Sequence, residues 1–158
     1  MPIVMKVAGL ALDEKSHAPI VVLKDETGNR VLPIVIGLVE ASAIAATLEG
    51  VEFPRPMTHD LMASLLKQLD ATLERIEVTD LLNDTFYATL HIRRKRSAQL
   101  ITVDARPSDS IALALRTGAT ILVDEQVFEK VAKTPEGPKA SGDDLAGLDD
   151  EVFGKYKM

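Results

Sequence analysis

Ile3, Met5 and Val7 alternate with Val4, Lys6 and Ala8, which is the two-residue period of a strand. Gly9 to Leu12 continues it, and Asp13 to Ser16 turns the chain. Pro19 to Lys24 predicts a second, almost wholly apolar strand. Asp25 to Asn29 reads as a tight turn in which Gly28 and Asn29 tolerate positive φ, and Val31 to Ile36 returns as a third strand. Pro33 has no N–H for a ladder, so this strand belongs at an edge or a bulge.

The period then changes. From Gly37 to about Leu48 apolar residues lie nearly all round a helix, which predicts cover on more than one side, and its alanines suit close packing against another subunit. Val51 to Met57 is stiffened by Pro54 and Pro56. Thr58 is the natural cap of a second helix, with Leu61, Met62, Leu65, Leu66 and Leu69 as its buried face and His59 and Asp60 at its exposed start. Thr72 to Leu82 reads as a strand in which Leu73 is out of phase, through a bulge or a late helix end. Phe86, Ala88, Leu90 and Ile92 face inward on the next strand, with Tyr87, Thr89, His91 and Arg93 outward.

Leu100 to Val103 is a short apolar strand, broken by Arg106-Pro107 and followed by a helix from Ser108 to Arg116 that Thr117-Gly118 closes. Ala119 to Val123 predicts a strand, and Asp124 to Ala132 a helix with Val127, Phe128 and Val131 on its apolar side. The expected architecture is a single α+β domain over residues 1–133. A mixed or antiparallel sheet of six to seven strands packs with three to four helices, and residues 134–158 form a flexible acidic tail.

Composition narrows the function. The 158 residues include no cysteine, which removes disulfide frameworks, thiolate zinc sites and cysteine nucleophiles. A formal net charge of −6 argues against a protein that coats nucleic acid non-specifically, so any phosphate contact must come from a local patch. The longest apolar run, Val31 to Leu48, is interrupted by Pro33, Gly37 and Glu40 and does not suit a membrane span; with no basic region ahead of an apolar leader, a cytoplasmic location is expected.

No phosphate loop, H-E-x-x-H, G-x-S-x-G or dinucleotide fingerprint occurs. One constellation is left. Glu40, Asp60, Asp104 and Asp109 supply hard oxygen ligands suited to Mg²⁺ or Mn²⁺. His59 is the candidate general base, and His59, Asp60, Asp104, Arg106 and Asp109 form the candidate catalytic set. Arg55 and Arg106 are candidate phosphate clamps, and Arg93, Arg94, Lys95 and Arg96 a phosphate-attracting edge. Each has a structural alternative. Ser108 caps its helix, Glu40 and Asp109 complement helix dipoles, His59 and Asp60 serve capping, the basic run is a solvated hairpin tip, and the whole cluster is a buried network.

Pro33-Ile34-Val35-Ile36-Gly37 followed by Glu40-Ala41, then Arg55-Pro56-Met57-Thr58-His59-Asp60-Leu61, then Phe86-Tyr87-Ala88, then Val103-Asp104-Ala105-Arg106-Pro107-Ser108-Asp109-Ser110-Ile111 resembles the bifunctional nuclease domain. The resemblance covers about Met1 to Lys133. It implies an α+β domain that forms dimers, with cleavage of both DNA and RNA in some members; it brings no established mechanism, so the residue roles above rest on chemistry. Two functions are therefore expected as alternatives. One is a nuclease of low sequence selectivity, dependent on a divalent metal, acting on RNA or DNA as a homodimer or higher homo-oligomer. The other is a non-catalytic dimeric module whose polar cluster locks the fold.

Overall fold

The computed structural model describes residues 1–134, so the expected tail lies outside the described residues but for Thr134. Its elements are β1 (Ile3–Leu12), β2 (Pro19–Asp25), β3 (Val31–Val35), α1 (Leu38–Leu48), α2 (Thr58–Gln68), β4 (Ala71–Leu82), β5 (Thr85–Arg94), β6 (Leu100–Ala105), α3 (Pro107–Thr117), β7 (Thr120–Val123) and α4 (Glu125–Lys133). The strands form one seven-stranded sheet in the order β3-β2-β1-β7-β4-β5-β6. All neighbours are antiparallel except β4 and β7, which pair in parallel because α3 carries the chain back across the sheet. The result is the expected α+β domain, with a mixed sheet and four helices among the described residues.

The core lies between the sheet and its helices. Val21 and Leu23 of β2, Ile76 and Val78 of β4, and Ile44 of α1 meet Ile111 and Leu113 of α3 in one continuous cluster. The apolar run of β2 is buried on both faces, with Ile20 and Val22 joining Ala11 in a separate small cluster. Pro33 sits on β3, an edge strand, as its missing N–H requires. The register shifts between Leu73 and Arg75, so the out-of-phase Leu73 marks a bulge that returns it to the core, not a late helix end. Gly118 ends α3 in the left-handed region at φ 75°. No helix among the described residues is long and apolar enough to cross a membrane.

Several local expectations change. Helix α3 begins one residue early, at Pro107, because proline is best placed where no N–H is needed; Arg106 is then the N-cap, and Ser108 lies buried inside the helix. Likewise Met57, not Thr58, caps α2, and its backbone N–H donates to Asp60 Oδ2 at 3.0 Å. Leu61, Leu65 and Leu69 were expected inside but are exposed. Met62 and Leu66 pack on the core as expected, joined by Ala63 and the buried His59, so α2 is rolled to face α3 with its first turn. Helix α1 buries Ala41, Ile44 and Ala45 and leaves Leu38 and Val39 exposed, so within one chain it is covered on one side only. His91, expected to point outward, is largely covered: its side chain is 13% exposed, and Nδ1 is buried without a partner among the described residues.

The left-handed turn at Gly118 gives a direct test. A Cβ there would meet nothing within 4 Å, so Gly118→Ala suffers only from its backbone conformation. A loss of about 1–2 kcal/mol is expected, read from the urea midpoint with unchanged slope.

Candidate active site

The first turns of α1, α2 and α3 converge, and each carries a carboxylate at its third helical residue: Glu40, Asp60 and Asp109. Local chemistry puts them there, since an acid at that position faces unpaired N–H groups and the positive end of the helix dipole. Packing of α1 and α2 on α3 then brings the three turns together around a cavity of about 180 Å³. Val39, Ala46, Phe53 and Met57 line its apolar side, and Glu40, His59, Arg106 and Asp109 its polar side.

The polar side is a continuous chain of charge-assisted hydrogen bonds. Arg106 donates from Nη1 to Glu40 Oε1 and from Nε to Asp109 Oδ2, each at 2.8 Å. Asp109 Oδ1 lies 2.9 Å from His59 Nε2. Because the carboxylate can only accept, the hydrogen belongs on Nε2, which leaves the lone pair on Nδ1 when the ring is neutral. Nδ1 has no protein partner among the described residues and is not sealed from solvent. Arg106 is likewise only half committed: its side chain is 61% exposed, and Nη2 has no partner among the described residues.

The charges tune one another. Burial by itself pushes the Asp109 carboxyl up, but hydrogen bonds from Arg106 and His59 outweigh it and hold its pKa below the ordinary range. Glu40 is lowered first by its own backbone N–H and then by Arg106. The two carboxylates in turn push the Arg106 guanidinium further up. The Glu40 side chain folds back over the N-cap, where a Cβ on Gly37 would collide with its Oε2, so glycine leaves room for the carboxylate that holds Arg106.

Beneath this chain lies a residue that sequence reasoning missed. Arg116 donates from Nε to Asp60 Oδ1 at 2.7 Å, from Nη1 to Ala112 O at 2.8 Å and from Nη2 to Ala43 O at 2.9 Å, with its side chain only 9% exposed. An arginine in the last turn of a helix reads as a dipole partner, and only its apolar run Ile111 to Leu115 hints that it is buried. Asp60 is therefore spoken for: burial raises its pKa, yet the Met57 N–H and Arg116 lower it further.

Of the expected site residues, Glu40, His59, Arg106 and Asp109 come together, with Asp60 beside them on Arg116. Asp104 stays apart, exposed on β6 opposite Thr89, and Arg55 is exposed in the connection before α2 without an ion pair among the described residues. Arg93 is held by Glu74 and by Ala98 O, and Arg96 lies 3.6 Å from Asp70; Arg94 and Lys95 are exposed. This basic hairpin is at the opposite end of the six-residue β6 from Arg106, roughly 20 Å away at strand spacing. The four acids expected to hold Mg²⁺ or Mn²⁺ do not converge, and no group of three or more metal-ligating side chains forms among the described residues. Glu40 and Asp109 instead give oxygens to a guanidinium, so this donor set does not fit a divalent cation.

Two outcomes are expected. Arg116→Ala removes three hydrogen bonds of an enclosed guanidinium and leaves Asp60, 38% exposed, to solvent, so it should cost about 1–3 kcal/mol in urea denaturation. Carboxylates whose folded pKa lies below the unfolded value stabilise fully above about pH 4 and lose that contribution as pH falls through the folded value. The urea midpoint should therefore drop as pH falls below about 4, and Asp109→Asn should flatten part of that slope.

The chain is similar to known proteins over most of its length. An uncharacterized protein of Mycobacterium tuberculosis is 44% identical over 124 residues, covering 78% of this chain and 73% of its own length. Bifunctional nuclease 1 of Oryza sativa subsp. indica is 23% identical over 137 residues, and Bifunctional nuclease 1 of Arabidopsis thaliana 26% over 116. The matches cover 41% and 36% of those plant proteins, so the chain spans well under half of their length. The family model of the bifunctional nuclease domain matches residues 21–136, which include the converging turns of α1, α2 and α3, and the chain belongs to that family.

Proposed function

We propose that this chain hydrolyses phosphodiester bonds of RNA or DNA at the cavity between α1, α2 and α3, as a homo-oligomer. The observation that carries this reading is the His59–Asp109 pair, at 2.9 Å, beside an arginine with a free edge. His59 Nδ1 takes a proton from an attacking water while Asp109 holds Nε2–H and stabilises the imidazolium that forms. The water oxygen bonds to phosphorus, the bond to the leaving sugar oxygen breaks, and that oxygen takes a proton from solvent. Arg106 Nη2 faces the charge that develops on the phosphate, and Glu40 and Asp109 keep the guanidinium in place. The water and the phosphate approach from the open side of the cavity. No step runs through Mg²⁺ or Mn²⁺. Without base-reading groups in this mechanism, sequence selectivity is low.

A second reading has its own support. Both carboxylates of the chain accept from Arg106, and the Arg116 guanidinium beneath it is only 9% exposed, as a fold-locking network requires. His59→Gln separates the two, since its amide N–H still reaches Asp109 while the base is lost. Under the nuclease reading, cleavage of a fluorescent RNA or single-stranded DNA oligonucleotide falls about 10²–10⁴-fold with a melting temperature within a few degrees of wild type. Activity equal to wild type, at an unchanged melting temperature, would remove His59 as the base and leave only the network. Asp104→Asn should cut as wild type does, and a chelator should leave the wild-type rate within about threefold.

A further inference from the structure

We propose that the outer flank of α2 is the surface on which two copies of this chain meet. Met57, Leu61, Leu65 and Leu69 follow one another at four-residue spacing, a straight ridge about 18 Å long at 1.5 Å per residue, and the three leucines are 51, 51 and 74% exposed. The ridge does not end at the helix. Met57 shares the rim of the cavity with Val39 of α1, and Val39 and its neighbour Leu38 are 77 and 58% exposed. These six side chains present apolar surface on the order of 600 Å², the upper limit for a typical monomer. That is most of the ~800 Å² that each partner gives to a stable interface.

The occupant is a second copy for two reasons. A row of leucines evenly spaced about Leu65 is complementary to itself: a two-fold axis near Leu65 sets Leu61 of one copy against Leu69 of the other, the ridge-in-groove crossing of two rows with the same spacing. Charge points the same way. Copies carrying a net charge of −6 repel, and the strip beside the ridge is neutral, since Thr58, Ser64 and Gln68 flank it while Asp60 and Lys67 lie on the far side. One copy can approach another here without bringing like charges together.

The test is the mass of the full chain in solution, which is independent of any nuclease activity. Light scattering at tens of micromolar should give a multiple of the chain mass for wild type and for Val103→Glu, an exposed apolar position on the edge strand β6, and a single chain mass for Leu61→Glu/Leu65→Glu. The chain has no cysteine, so Leu65→Cys supplies a second readout that keeps the fold: mild oxidation should link it into dimers at least tenfold faster than Val103→Cys. A monomeric wild type at 200 µM, assembly that survives the double leucine substitution, or equal cross-linking of the two cysteine variants would overturn the proposal.

Discussion

One buried guanidinium ties the helical layer together. Arg116, at the end of α3, reaches Ala43 O of α1, Asp60 of α2 and Ala112 O of its own helix, so three elements that the chain visits separately share one set of donors. A charge this enclosed is tolerable only with its carboxylate and carbonyls in place. This is why α2 cannot roll. Were Leu61, Leu65 and Leu69 turned inward, Asp60 would leave Arg116, and a cation would be stranded inside the protein.

The same constraint assembles the proposed site. With α2 rolled this way, His59 lies against α3 and meets Asp109, and Arg106 closes the gap to Glu40 on α1. Structure and the proposed reactivity do not compete for these atoms. Each partner uses part of its hydrogen-bonding capacity to hold the arrangement and keeps the rest, His59 its Nδ1 and Arg106 its Nη2, for the cavity. The proposed acid–base pair requires rigid neighbours, and two separate ion pairs, Arg106 with Glu40 and Arg116 with Asp60, supply them.

Apolar surface tells a complementary story. The leucines displaced from the core by the roll of α2 are not scattered but aligned, and they run into the exposed start of α1 through Met57. Folding of one chain thus satisfies its buried charges at the cost of an open hydrophobic flank.

The strands and helices were legible in the sequence because their signals are local. Alternation in β5, the apolar run of β2, Pro33 at an edge and the Gly118 stop each depend on neighbours a few residues away. So was the placement of Glu40, Asp60 and Asp109 in first turns, since helix N-termini favour acids whatever surrounds them. Which of these acids would meet was decided by tertiary structure. Asp104 belongs to the same short motif as Arg106 and Asp109, yet strand pairing with Thr89 leaves it exposed and apart from them. Arg116 lies outside every motif but is the most enclosed cation of the site. A helix pattern states which residues are apolar, not which flank will face the core, and here the hydrogen bonds of one enclosed guanidinium to Asp60 and to Ala43 O, over separations of 56 and 73 residues, made that choice.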